Sequence, residues 1–459
     1  MASAIPDADK PLSYDCLKCV LQQFEANFRF QLVARLPKLN LAEKAVQLYI
    51  SKLVIWEGGF ELNDINYRLG VIRHAREGPN PEKIKRQNKE GGVQTDIDRF
   101  GFENYSLPEL TPGDILIKKY NPLWDLDDNL EFAEGRLVKY QNILTDLERE
   151  KRELEDAPEN SAEENFIESD QLNRSKRLES INNNIQSAKR DLEDSELTVQ
   201  CHQCKRDNHP FPYDMFIQLT KKSSDGTVYT ERFNYNKSLR QAQKYLMSKF
   251  LGNRQLVTTI KSLCFGACQL KGFILGFPEG IKLDVQEIQT VSNVADVLQR
   301  VETILEHPNR PFTRLVSGRF QLKDAQSPRV RNAEVLILYA KNFVECVPLC
   351  SELPNKRVVF PVVRHIQPEL LGVLVEKLID TKKTLGTCYE FTGLEDEDEA
   401  REALRVIAER FETSVVRKRL VSIPLPHQLQ LDVSLTAYQN NVGHTLCDIK
   451  MEIVQSQPN

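Results

Sequence analysis

The sequence predicts an α+β chain in four consecutive parts, and three observations carry that prediction. Apolar residues recur with a helical period at the start, then alternate in the manner of a strand from Leu48 to Ile55. A heptad run of different composition interrupts the chain after residue 128. From Ile260 onward, short apolar strands alternate with helical runs. The expected layout is a helical segment with a first strand over 1–55, a small α+β domain over 56–128, an antiparallel coiled-coil hairpin over 129–199 and a strand–helix, solenoid-like interaction domain over 200–459.

Leu12, Leu17, Val20 and Leu21 form one apolar stripe, and Arg29-Phe30-Gln31-Leu32 then runs into Arg35-Leu36-Pro37-Lys38-Leu39. Two or three short helices accommodate that spacing. Such a module grips a partner rather than transforming a substrate, and Leu12, Leu17, Val20, Leu21, Phe30 and Leu32 are its candidate partner-binding residues. Alternating apolar positions, several glycines and the Thr111-Pro112-Gly113-Asp114 turn follow, giving a small mixed domain that ends near Tyr120. Within it, Glu77-Gly78-Pro79-Asn80-Pro81 breaks any helix, and Lys83 to Lys89 reads as a basic, solvated loop.

In the next block Leu130, Leu137 and Leu144 fall seven apart, while Ala133, Tyr140, Leu147 and Leu154 take the second seam position. Asp156-Ala157-Pro158-Glu159-Asn160-Ser161 breaks this helix, and Leu178, Ile181, Ile185, Ala188 and Leu192 resume the pattern. The two helices are expected to fold back on one another. Self-association through the same seam is the alternative, disfavoured by Lys151, Arg174 and Ser195 at seam positions.

Phe216 and Leu219, then Val228 and Phe233, flank Ser224-Asp225-Gly226, a strong hairpin signal. Leu239, Ala242, Tyr245, Leu246 and Phe250 share one face of a helix over Ser238 to Leu251. Strands are then expected at Ile260 to Phe265, Ile281 to Val285, Val335 to Leu338 and Arg357 to Val363, with helices around Val294 to Leu305 and Leu370 to Ile379. The chain closes with a helix from Glu397 to Phe411 and strands near Val415 to Ile423 and Gln430 to Leu435. Because the unit lengths are irregular, the array resembles a degenerate leucine-rich solenoid more than a strict repeat. Stacked units of that kind share one core and present a sheet surface to a partner.

Composition narrows the class of function. Sixty-one basic residues stand against 66 acidic ones, a net charge of −5, so no overall field draws this chain to nucleic acid or an anionic membrane. The start from Met1 to Lys10 lacks the apolar stretch of a secretion signal, and no apolar run approaches the ~20 residues of a membrane span. Ten scattered cysteines fit a reducing, intracellular setting, cytoplasmic or nuclear. Protein partners are the expectation.

Candidate chemistry is sparse. Cys201, Cys204, His209 and Asp214 have a zinc-knuckle-like spacing with carboxylate at the fourth place, but a single CxxC is a weak signal, and the expectation is no metal and no cofactor. Asp96-Ile97-Asp98 reads more readily as a solvated turn than as a divalent-cation pair. Gly91-Gly92 lacks a phosphate-cradling context, and no nucleophile motif is present, so no catalytic residue is assigned.

Tyr14-Asp15-Cys16-Leu17-Lys18-Cys19-Val20-Leu21, Asn27-Phe28-Arg29-Phe30, Arg35-Leu36-Pro37, Asn66-Tyr67-Arg68-Leu69-Gly70-Val71, Asn88-Lys89-Glu90-Gly91-Gly92-Val93, Asp96-Ile97-Asp98-Arg99-Phe100-Gly101 and Thr111-Pro112-Gly113-Asp114-Ile115 together resemble the opening of a nematode-expanded family of uncharacterised F-box-like proteins. The resemblance covers most of residues 12–120 and returns more loosely in Ser238 to Leu263 and Leu385-Gly386-Thr387-Cys388-Tyr389-Glu390-Phe391. It differs from the usual F-box opening in having Pro11-Leu12 for Leu-Pro and no tryptophan near Arg35. An F-box resemblance implies docking of the N-terminal helices onto a Skp1-type adaptor of a ubiquitin ligase, the rest of the chain holding a substrate. The reading that follows is a non-enzymatic protein–protein interaction protein.

Overall fold

The computed structural model describes residues 13–105, 109–118, 129–156, 164–266, 273–340, 342–441 and 443–456. The chain opens with α1 (Tyr14–Gln22), α2 (Ala26–Arg35), α3 (Asn40–Lys44), β1 (Tyr49–Trp56), β2 (Gly59–Leu62), β3 (Ile65–Ala75), α4 (Glu82–Lys89), β4 (Asp96–Ile97), β5 (Glu103–Asn104) and β6 (Asp114–Lys118). Then come α5 (Leu130–Asp156), α6 (Glu164–Arg206), β7 (Tyr213–Ser223), β8 (Val228–Asn234), α7 (Leu239–Leu251), β9 (Thr258–Phe265), β10 (Phe273–Gly276), β11 (Leu283–Asn293) and α8 (Val294–Val301). The remainder is β12 (Arg314–Arg319), α9 (Pro328–Arg331), β13 (Val335–Leu338), α10 (Phe343–Glu352), β14 (Arg357–Phe360), α11 (Pro368–Asp380), β15 (Cys388–Leu394), α12 (Glu397–Arg410), β16 (Val415–Arg417), β17 (Leu420–Leu425), β18 (Leu429–Gln439) and β19 (Thr445–Gln455).

Two compact units result, both discontinuous in sequence: Met1–Ile65 with Glu109–Lys119 and Lys244–Asn459, and Asn66–Pro108 with Tyr120–Gln243. The first is a mixed α/β structure on a large mixed sheet, rather than the segregated α+β arrangement expected. Its strands run β16-β17-β18-β19-β15-β14-β13-β12-β11-β9-β1-β2. From β9 through β11, β12, β13, β14 and β15 every neighbour is parallel and, with β10 set aside, spatial order follows chain order. β1 also pairs in parallel with β9, Leu53 opposite Leu263, although more than 200 residues separate them.

Register lines up one inward row across this sheet: Leu53, Leu263, Ile288, Leu315, Leu336, Val358, Tyr389, Met451, Val433 and Val421, each no more than 1 % exposed. A fully buried aliphatic side chain contributes about 1.5–3 kcal/mol, so this row holds the strands in register. Helices α8 to α12 supply the apolar cover: α8 lies on β11 and β12, α10 on α11, α11 on α12, and α12 on β17 to β19. Tyr389 brings a hydroxyl into this core and satisfies it by donating to the Cys350 carbonyl at 2.9 Å. The opposite side of the same strands carries Lys52, Arg314 and Arg357, all exposed.

The second unit contains a β3-β7-β8 sheet and the helical arm. α5 and α6 form the expected antiparallel hairpin: Arg136 reaches Thr198 near one end, and Arg177 pairs with Glu150 (2.9 Å) toward the other. Ile181, Ile185 and Ala188 are buried in its seam, and the polar seam residue Ser195 returns its hydroxyl to the Asp191 carbonyl. α6 continues to Arg206, beyond the expected boundary at 199. The break expected over Asp156 to Ser161 begins at the last residue of α5, and residues 157–163 lie outside the described residues.

Several local expectations change. Lys83 to Lys89 lies in α4 and not in a loop, because Pro81 sits just before the first turn, where the helix needs no proline N–H. Its Ile84 is fully buried, and Lys83 pairs with Asp194 at 2.7 Å. Strands β12, β10 and β19 and helix α10 were not anticipated; α10 carries Pro348 within it, a residue that reads as a breaker in sequence. The run from Val415 to Ile423 is two strands turned at Lys418-Arg419, not one. Tyr245, expected on the buried face of α7, is 54 % exposed.

Candidate protein-binding surface

The first two N-terminal helices begin with side-chain caps. Ser13 accepts from the Cys16 amide at 3.2 Å, and the Glu25 carboxylate accepts from the Asn27 and Phe28 amides at 2.8 and 3.3 Å. Between them the helices enclose a small core of Leu21, Ala42 and Val46, with Leu17, Phe24 and Leu32 packed against it. Phe30 is 8 % exposed and stacks on Phe250, ring centroids 4.5 Å apart.

Of the expected partner-binding residues, Leu21 and Phe30 are therefore internal, Leu17 and Leu32 are partly buried in that core, and Val20 is 39 % exposed. Leu12 lies outside the described residues. The apolar side chains that do face outward here are Tyr14, Val20, Phe28, Leu36 and Leu41. The sequence marked the stripe correctly as apolar but could not separate its inner from its outer members, since a short bundle uses neighbouring helical positions for both.

An ionic clamp fixes this module to the segment after α7. Glu43, 2 % exposed, receives Arg29 Nη2 at 2.8 Å and Arg254 Nη2 at 2.7 Å. Arg29 also donates to the carbonyls of Gln47 (2.7 Å) and Glu43 (3.0 Å). Lys44 Nζ donates to the Lys249 and Phe250 carbonyls at 2.6 and 3.1 Å, groups that the last turn of α7 leaves without helical partners. Burial, and secondarily the nearby Arg254, push the Lys44 pKa down to about 8. A cavity of ≈ 790 Å³ borders Gly252 to Thr258 and Pro278 to Lys282; of its cations, Lys244 and Arg254 are already held by Asp114 and Glu43, and Lys282 donates to the Thr303 carbonyl.

Asp96, Asp98, Gly91, Gly92, Cys201 and Asp214, weighed above for chemistry, take part in a cap, turns, packing and an ion pair. Asp96 accepts from the Tyr235 hydroxyl and the Leu239 amide, both at 2.8 Å, which caps α7. Asp98 accepts from the Phe100 and Phe102 amides and closes a turn. Gly91 and Gly92 take positive φ and lie against Gly70, where a Cβ would stand 2.2 Å from the Gly91 carbonyl oxygen. Cys201 is buried beside Phe211, its thiol pushed up to about 12 by desolvation, while Asp214 pairs with Arg76 at 3.0 Å. Among the described residues no group of three or more His, Cys, Asp or Glu is arranged to hold a metal ion. Burial likewise pushes the Cys346 and Cys388 thiols up to about 12, away from the reactive thiolate. Among the described residues no helix is long and apolar enough to cross a membrane.

Residues 238–395 match a family model described as Domain of unknown function (DUF3557). This stretch contains α7, the parallel strands β9 and β11 to β15, and Arg254 of the clamp. It also contains both places where the F-box-like resemblance was looser, Ser238 to Leu263 and Leu385 to Phe391, whereas residues 12–120 lie outside the match. The DUF3557 segment thus supplies the parallel core on which the N-terminal helices are clamped. No curated protein matches the chain. No solved structure matches it either.

Proposed function

We propose that this chain is a non-enzymatic binding protein: its N-terminal helices engage a protein partner, a Skp1-type adaptor, and its strand–helix array holds a second protein. The observation that carries the reading is the set Tyr14, Val20, Phe28, Leu36 and Leu41, exposed on and between helices whose other large apolar residues are buried or partly buried. Such a concentration of outward apolar side chains marks an interaction surface. The Glu43 clamp supports it as well, because a module fixed at Arg29 and Arg254 presents that surface without a further ordering cost.

The array reads as a degenerate leucine-rich-like solenoid. Ile50-Ser-Lys-Leu53-Val-Ile55, Ile260-Lys-Ser-Leu263-Cys-Phe265, Val285-Gln-Glu-Ile288-Gln-Thr290, Phe312-Thr-Arg-Leu315-Val-Ser317 and Ala333-Glu-Val-Leu336-Ile-Leu338 share one frame, and its first, fourth and sixth residues are all buried. Asn355-Lys-Arg-Val358-Val-Phe360 keeps the frame with a polar first residue, whose side-chain amide donates to the Val330 and Ala333 carbonyls. The outward residues of such stacked strands form an extended surface for a partner.

Capture of a purified Skp1-type adaptor by the full chain tests the reading. Phe28→Asp and Leu41→Asp replace exposed residues and are expected to abolish capture while leaving the thermal midpoint unchanged. Absence of capture by the unaltered chain, or equal capture by both variants, overturns it.

A further inference from the structure

The carboxyl ends of the parallel strands carry an uncovered apolar ridge, distant in sequence from the N-terminal helices. Val291 stands at the end of β11, Leu322 just past β12, Tyr339 immediately after β13, Val344 in the first turn of α10 and Val362 just past β14. They are 42, 50, 46, 50 and 59 % exposed, and their strands are direct neighbours. Single exposed apolar residues need no explanation, but five at the carboxyl ends of four neighbouring strands fall along one edge.

Backbone features hold that ridge outward. Val362 has φ +60°, a conformation that a β-branched residue adopts at a cost and that is found where surrounding structure imposes it. Gly393 on β15 lies behind it, where a Cβ would stand 3.3 Å from the Val362 Cα. The same relation recurs at Val291: Gly318 on β12 backs it, and a Cβ there would stand 2.8 Å from the Val291 Cα. Pairing is irregular at both places, between Thr290 and Asn293 and between Phe391 and Leu394. Irregularities of this kind re-aim side chains at strand ends.

The ridge also has a socket and a charge. Apolar Phe320, Leu322, Leu338, Tyr339, Pro348 and Leu349, with Ala340 and the single acid Glu345 at its α10 side, border a cavity of ≈ 190 Å³, room for one large apolar side chain. Arg319 and Lys323 are exposed beside it and form no ion pair among the described residues. We propose that this ridge binds one amphipathic helix of a partner protein, its apolar stripe laid across the ends of β11 to β14 and its acidic flank toward Arg319 and Lys323. The spacing fits: neighbouring strands stand about 4.8 Å apart, and apolar residues at i, i+4 and i+7 of a helix recur at about 5–6 Å. Carboxyl ends of parallel strands are also where α/β sheets hold their ligands. The inference is independent of the N-terminal surface, so either can fail without the other.

Fluorescence anisotropy on the full chain tests it, with a labelled helical peptide of about 14 residues carrying leucine at i, i+4, i+7 and i+11 and glutamate along one flank. Saturable binding is expected, weakening with added salt and falling at least about tenfold in Tyr339→Asp and in Val344→Asp, each checked for an unchanged thermal midpoint. Arg319→Glu with Lys323→Glu is expected to reverse the preference toward a lysine-flanked peptide. No saturable binding, equal binding of a serine-for-leucine peptide, or indifference to both aspartate variants overturns the proposal. So does self-association of the chain that Val344→Asp removes, since a second copy would then be the occupant.

Discussion

Arg254 Nη2 reaches both carboxylate oxygens of Glu43, at 2.7 and 3.0 Å, across 211 residues of sequence. Glu43 is also the acid that faces Arg29, so one carboxylate balances two buried guanidinium groups. Removing it leaves two cations buried without a counter-charge, a change that costs about 3–5 kcal/mol when one partner of a buried pair is lost. Glu43→Ala is therefore expected to lower the unfolding free energy by that order in urea denaturation. A loss below about 1 kcal/mol, typical of exposed ion pairs, would show that the clamp is open to water.

Lys44 gives stability a pH dependence of unusual sign. Its pKa in the folded chain is about 8, against 10.5 when unfolded, because burial disfavours the ammonium. Below about pH 8 both states bind the proton and the full cost of burial is present; between the two pKa values the unfolded state holds more protons, so stability rises with pH. Relative to Lys44→Met, the unaltered chain is expected to gain roughly 2–3 kcal/mol on going from about pH 7.5 to about 10.5. A difference that stays flat or declines over that range would rule this out.

Val362 is predicted to be a point of relievable strain. With φ +60° it pays the penalty of a left-handed conformation, about 1–2 kcal/mol for an ordinary residue, whereas asparagine tolerates that region. Val362→Asn should raise the urea midpoint by an amount corresponding to about 1 kcal/mol, since the side chain is 59 % exposed and little packing is lost. An unchanged or lowered midpoint contradicts the strain.

Elements set by neighbours in sequence were legible. Ser224-Asp225-Gly226 gives the β7–β8 hairpin, with Gly226 at φ +85°, and the heptads give α5 and α6. Leu239, Ala242 and Phe250 mark α7 correctly, but Tyr245 shows that an apolar stripe does not say where cover ends. The parallel array is legible only as a degenerate strand–helix array, without β12, because polar Thr290, Ser317 and Asn355 occupy inward places and the connections vary in length, which blurs the common frame. The clamp could not be read at all: Arg29, Glu43 and Arg254 look like surface charges, and nothing local to β1 says that it pairs with β9. The surface suffered similarly, since Leu21 and Phe28 are equally apolar letters seven apart, yet one is fully buried and the other 49 % exposed.

The arm offers the last test, because its seam closes within one chain. Ile181 and Ile185 on α6 are buried at 4 and 6 % exposure, and cross-helix contacts such as Arg174 Nη2 to the Leu154 carbonyl, 2.7 Å, join α6 back to α5. A seam already occupied by its own second helix has no apolar stripe left for another molecule. Full-length protein is expected to sediment as a species whose mass does not change when residues 129–197 are deleted, apart from the residues removed. Ile185→Asp should instead reduce helical content and lower the unfolding free energy by about 2–5 kcal/mol, the range for a buried apolar residue replaced by an unpaired charge. An oligomer that the deletion converts to a monomer would mean that the seam opens and pairs between chains.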